Sequence, residues 1–315
     1  LASAPLLAGR AMAQDAFPSR PIRAVITIGA GAAGDLYLRQ ISARASQPLG
    51  QTIVVDNRPG GAGLVGTAAV ARAAPDGYTL VFAYNQTMVV APHIYKDLPY
   101  DPVNDFVGVA RAVSTPLVLV VSATLPVKSV AELVAWAKAH PQQLNYASSG
   151  KGTSSHLAGA YFENLQKVGS QHVAYTSVPQ ALGDIDRGDI KIMFYPYLAL
   201  QPAIERNSVR VLAVTGPERL STLPNVPTMV ELGYRDFVIV PWFAFYAPAH
   251  TPPEIVQKLN AAVTEALKDP EFVAAMNKTG TAIWPATPEE MVAFTKSEIE
   301  RYRNLVAIAG IQQGD

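Results

Sequence analysis

Short apolar runs alternate with helix-length segments through the first half of the chain. Ile22–Ile28 is mostly apolar and reads as a buried strand, followed by a glycine-rich turn and a predicted helix around Asp35–Ser46. Thr52–Val55 reads as a second strand, Gly63–Ala74 as a helix of small residues, and Tyr78–Ala83 as a third strand. Strand, helix and strand at this spacing build parallel βαβ units.

The pattern then changes. Phe106–Val121 reads as extended chain entering a second unit. Ser129 is placed to cap a helix over Val130–His140, with Glu132 completing a capping box. Strands follow at Asn145–Ser148, His172–Tyr175, Ile190–Phe194 and Val209–Val214, with helices at Ser154–Leu165 and Pro179–Arg187. Phe237–Tyr246 is extended again, and Pro252–Leu267 and Pro288–Ala309 are amphipathic helices. Two extended crossings, near 108–118 and 237–246, imply that the chain leaves a first lobe and later returns. The expected lobes are 14–110 plus 238–315, and 111–237, joined by a two-strand hinge. A cleft between two such lobes is the usual seat of a small ligand.

Composition fits two cores and narrows the function. The chain has 315 residues, 49% hydrophobic and 16% charged, with 25 basic and 25 acidic side chains. A nucleic-acid partner would call for a basic excess, so that class is set aside. Cysteine is absent, which removes disulfides, thiolate nucleophiles and thiolate metal sites. Leu1–Leu7 is small and apolar, and Ala11-Met12-Ala13 precedes Gln14, so 1–13 reads as a signal-peptide remnant cleaved after Ala13. The mature protein is then expected in the periplasm.

Gly29-Ala30-Gly31-Ala32-Ala33-Gly34 matches GxGxxG between a predicted strand and helix, and Asp56 ends the next strand. An alternative reading is therefore an NAD(P)-dependent oxidoreductase using the loop at 29–34. Export away from the nicotinamide pool and the lack of a partner acid weigh against it. HExxH, GxSxG and P-loop patterns are absent, and the five histidines are scattered. The expectation is a protein that is not an enzyme and uses no metal or cofactor. The loop keeps its physical meaning: small residues let backbone approach a ligand, and the helix beyond aims free N–H groups at an anion.

A series of short motifs, in order, resembles one family. These are Pro18-Ser-Arg-Pro-Ile-Arg23, Asn57-Arg-Pro-Gly-Gly61, Ala74-Pro-Asp-Gly-Tyr-Thr79, Leu98-Pro-Tyr-Asp-Pro102, Leu144-Asn-Tyr-Ala-Ser-Ser-Gly150 with Thr153–His156, Leu212-Ala-Val-Thr215 and Leu223-Pro-Asn-Val-Pro-Thr228. Together they resemble the Bug family, the extracytoplasmic solute receptors of tripartite tricarboxylate transporters. The resemblance implies a type II periplasmic-binding-protein fold of α/β class that closes over a small carboxylate. It also implies a monomer that makes transient contact with membrane transporter subunits. Carried onto this chain, the ligand-binding residues are Ala32, Ala33, Gly34 and Asp35 with Tyr84, Asn85 and Thr87 from the first lobe. From the second lobe they are Ser148, Ser149, Gly152, Thr153, Ser154, Tyr175 and Ser177.

Departures from the family pattern bear on the ligand. Ile28, Gly29 and Ala30 stand where an aromatic and prolines are usual, and Tyr195 stands where an acid is often found, with Tyr197 beside it. The cleft should be roomier, less acidic and more aromatic, which favours an aromatic carboxylate or dicarboxylate of terephthalate-like class. Lys151, the cation of the second-lobe loop, is expected to point to solvent. Asn57–Gly61 is expected to be a structural turn, and Trp242 to pack in the hinge.

Overall fold

The structure, a computed structural model, describes residues 17–314, so the segment 1–13 and its cleavage site lie outside the described residues. The chain begins with β1 (Ile22–Ile26), α1 (Ala33–Leu49), β2 (Ile53–Asn57), α2 (Leu64–Ala71) and β3 (Thr79–Tyr84). β1 pairs in parallel with both β2 and β3, as strands joined by crossover helices must. In α1, Tyr37, Ile41, Ala45 and Leu49 recur at helical spacing and form the face buried against the sheet. Full burial of each large apolar side chain contributes about 1.5–3 kcal/mol relative to exposure.

A π-helical turn over Gln86–Val90 then runs into α3 (Ala91–Ile94), and β4 (Phe106–Ser114) completes the outward path. Three residues on, the chain enters a second sheet at β5 (Leu117–Ser122). That lobe continues through α4 (Val130–Ala139), β6 (Asn145–Ser148), α5 (Ser154–Gln166), β7 (Gln171–Ala174), α6 (Val178–Arg187), β8 (Ile192–Pro196), α7 (Tyr197–Glu205) and β9 (Val209–Val214). Its strand order is β7-β6-β8-β5-β9. The Ser129 hydroxyl caps α4 as expected, but the Glu132 carboxylate accepts from the Lys128 N–H and not from the cap residue, so the capping box is half formed.

The return crossing leads to β10 (Trp242–Pro248), followed by α8 (Pro253–Leu267), α9 (Pro270–Asn277), β11 (Ala282–Ile283) and α10 (Pro288–Ile308). The first sheet has the order β11-β4-β10-β3-β1-β2, with β10 antiparallel between β3 and β4. The two crossings lie side by side. Thr115 N donates to Pro241 O at 2.9 Å, and the Thr215 hydroxyl accepts from Leu117 N at 2.9 Å and donates to Ile239 O at 2.6 Å. Trp242 packs there, fully buried, its indole N–H donating to Glu298 Oε2 at 2.7 Å. β4 remains in the first sheet through Ser114, past the expected boundary at 110. No helix among the described residues is long and apolar enough to cross a membrane.

Candidate functional site

The loops that follow β1, β2 and β3 face the second lobe's loops after β6 and β7 across a cleft of about 240 Å³. Thr27–Ala30, Ala32, Pro59–Gly63, Tyr84 and Gln86 form one wall; Ser149–Lys151, Ala174–Thr176, Val178 and Tyr195 form the other. A narrower recess, lined among others by Ala33, Gly34, Asn85, Thr153, Ser154 and Phe243, opens beside it.

Helix starts dominate this surface. The start of α1 at Ala33 lines the recess, and the starts of α2 at Leu64 and α6 at Val178 meet the cleft. None of these three has a side-chain cap. The first N–H groups of a helix have no partner within it, so the starts of α1 and α6 offer donors and positive dipole ends to this surface. The α2 start continues a 3-10 turn over Gly61–Gly63, where Leu64 N–H already donates to Gly61 O, and Pro179 leaves α6 without its second N–H. Gly34 is required in this packing: a Cβ there would lie 2.4 Å from the Phe243 ring and 2.9 Å from Ile28.

Asp35 is the third residue of α1, not its cap, and its side chain is only 2% exposed. Its carboxylate accepts from Gly31 N at 2.9 Å, Asn57 Nδ2 at 2.9 Å and Arg39 Nε at 3.1 Å. Burial alone would raise its pKa; the hydrogen bonds from Gly31, Arg39 and Asn57 outweigh that and hold it below the ordinary value. The residue shapes the loop from behind the cleft wall.

The other sequence candidates divide. Ala32, Tyr84, Ser149, Tyr175 and Tyr195 line the cleft, and Ala33, Gly34, Asn85, Thr153 and Ser154 line the recess. The structure turns the rest elsewhere. The Ser148 hydroxyl is 2.6 Å from His172 Nε2, Thr87 is fully buried behind the wall, and Ser177 sits exposed ahead of α6. Tyr197 opens α7 and packs on the second lobe's apolar cluster. Gly152 touches the first lobe and not the cleft: a Cβ there would lie 2.5 Å from Ile94. Nearby, Asn85 Nδ2 donates to Ser154 Oγ at 2.6 Å and Gln86 Nε2 donates to Lys151 O at 2.7 Å, so the lobes are in contact. Burial pushes the Tyr84 phenol up to about 12 and the Tyr195 phenol higher still, leaving both as neutral hydroxyls.

Two expectations are corrected. Asn57–Gly61, expected as a structural turn, contributes Pro59, Gly60 and Gly61 to the cleft, with Ala62 and Gly63 beside them, because parallel pairing of Ile26 with Asn57 delivers the segment beside the first loop. Lys151 does not point to solvent; its ammonium is buried in the loop's packing and has no hydrogen-bond partner among the described residues. The dinucleotide reading loses its ribose acid, since Asp56 is engaged by Arg58 at 2.8 Å and lies 3.8 Å from Arg23.

Two α/β lobes, paired crossings and a cleft lined by helix starts define a solute-binding receptor of the periplasmic-binding-protein type. The chain belongs to the receptor family of tripartite tricarboxylate transporters: residues 37–311 match the family described as "Tripartite tricarboxylate transporter family receptor". It is 37% identical over 299 residues to a UPF0065 protein from Pseudomonas sp. strain P51, covering 94% of this chain and 88% of the relative. The structure of the periplasmic binding protein BugD superposes with TM-score 0.89 at 30% identity, covering 94% of this chain and all (100%) of that one. That of Rpa4515 from R. palustris, solved with adipate, gives 0.90 at 31% identity, covering 94% and 99%. The family is one of receptors, and the oxidoreductase reading is set aside.

Proposed function

We propose that this receptor captures a small dicarboxylate of aromatic, terephthalate-like class in the periplasm and hands it to membrane subunits of a tripartite transporter. The observation that carries the reading is the cleft lining: Tyr84, Tyr175 and Tyr195 beside uncapped helix starts, with no Asp, Glu or Arg side chain among the lining residues. An amino-acid ligand would find no carboxylate for its ammonium group. Lys151 is the one cation among the described lining residues and its ammonium is buried, so a carboxylate meets neutral donors, each charge-assisted bond contributing about 1.5–3 kcal/mol. An aromatic ring on these phenols adds about 0.5–1.5 kcal/mol beyond area burial.

Calorimetry is expected to rank terephthalate about two- to tenfold tighter than adipate, and both well above glutamate, aspartate and citrate. Because dipoles in a closed cleft are sheltered, affinity should fall less than about threefold between low and moderate salt. The second reading is an aliphatic dicarboxylate, favoured by the neighbour solved with adipate. Adipate binding at least as tightly as terephthalate would establish it and remove the aromatic preference. Export belongs to the same reading, and intact mass from a periplasmic extract is expected to show Gln14 as the first residue. Material retaining residues 1–13 would overturn that part.

A further inference from the structure

Behind the second-lobe ligand loop lies a separate pocket of about 380 Å³, between α5, β7 and the end of α10. Its polar lining is Lys151, which also borders the cleft, with His156 and His172; Ala160, Gly310 and Ile311 supply apolar wall. The Lys151 ammonium is buried and has no acceptor among the described residues. An ion removed from water without a partner is strongly unfavourable, so such a group calls for a counter-charge. Among the described residues, no acidic side chain lines this pocket. The charges acting on His156 come from His172 and Lys151, and no carboxylate is among them.

The histidines complete a donor set. Gly152 N–H donates to His156 Nδ1 at 3.1 Å, so the neutral ring carries its proton on Nε2. Burial, His172 and Lys151 push His156 down to about 3, so its ring is a neutral donor between pH 5 and 8, and burial lowers His172 as well. Their centroids are 4.2 Å apart. Both also hold the loop, His156 through Gly152 and His172 through the Ser148 hydroxyl at 2.6 Å.

We propose that this pocket is a second anion site, in which Lys151 Nζ and the His156 Nε2–H hold one compact monoanion and brace the ligand loop from behind. One cation compensates one negative charge, and the apolar remainder of the lining offers nothing to a larger polyanion. The site does not depend on which solute fills the cleft.

The test uses bromide and acetate as probes on the whole protein, exchanged against gluconate at constant ionic strength. The His156 ring N–H resonance is expected to shift saturably with millimolar half-saturation. Bromide-soaked crystals should show an anomalous peak between Lys151 Nζ and His156 Nε2. Lys151→Met should abolish the shift and the peak while Lys151→Arg keeps them, with melting temperature confirming that both variants fold. A shift that never saturates, or one unchanged in Lys151→Met, overturns the site. So does a Lys151→Met variant whose bromide response is intact but whose affinity for the cleft's dicarboxylate collapses, since Lys151 then serves the cleft.

Discussion

Gly152→Ala is expected to weaken dicarboxylate binding at least about tenfold, which is about 1.4 kcal/mol, while the protein still folds. Two costs act at this position and can be separated. Gly152 has φ +77°, a left-handed conformation in which alanine is disfavoured by roughly 1 kcal/mol. That strain is present whether the lobes are apart or together, so it lowers stability without favouring either. The new methyl also lies 2.5 Å from Ile94 Cδ1, across the junction between the second-lobe loop and α3 of the first lobe. This clash exists only when the lobes meet, and a ligand held by both lobes must then work against it.

Ile94→Val removes the Cδ1 atom itself, at a packing cost of about 0.5–1.5 kcal/mol. The double variant Gly152→Ala/Ile94→Val should therefore regain affinity to within about threefold of wild type while remaining less stable than either parent. Calorimetry reads the affinity, and small-angle scattering reads whether saturating ligand still reduces the radius of gyration. A Gly152→Ala protein that binds and contracts like wild type would remove this contact from the closing mechanism.

How much was legible from residues alone follows the range of the interactions. The βαβ units and the glycine loop depend on local periodicity and on a strand feeding a helix start, and both stand in the sequence. The short elements α3, α7 and α9 do not; α7 has nine residues with Pro202 inside it, and α9 has eight. Tyr195 and Tyr197 illustrate a subtler failure. Two residues apart on a strand they would share a face, but β8 ends at Pro196 and Tyr197 begins a helix, so the alternation is broken between them. A turn and a binding loop have the same composition, and for Pro59–Gly63 only the pairing of β2 with β1 decides which it is. The pocket that Lys151 shares with His156 and His172 depends on the end of α10 packing against α5, a contact that no local pattern encodes.

Asp35→Ala is expected to lower ligand affinity about twentyfold, although its carboxylate is hidden behind the loop it organises. Three donors converge on it: Gly31 N–H and Asn57 Nδ2, each at 2.9 Å, and Arg39 Nε at 3.1 Å. Asn57 also reaches Ile28 O at 3.2 Å, so the network fixes both ends of the segment from Ile28 to Gly31 against β2. Hydrogen bonds to a charged acceptor contribute about 1.5–3 kcal/mol each, and truncation leaves the loop's donors unmatched. The loop then loses the one geometry that lets the start of α1 face the ligand. Arg39 is half exposed, so its ion pair contributes little and Arg39→Ala should cost under about 1 kcal/mol.

The pH dependence follows from the lowered Asp35 pKa. A carboxyl whose folded value lies below its unfolded value of about 3.9 contributes stability above that value, and loses it as pH falls through the folded one. The melting-temperature difference between wild type and Asp35→Asn should therefore be largest at neutral pH and shrink below about pH 4. Asp35→Asn can still accept from Gly31 N–H, so it should bind better than Asp35→Ala. Wild-type affinity in Asp35→Ala, with a melting difference that does not change between pH 7 and pH 3, would show that the loop holds its shape without this carboxylate.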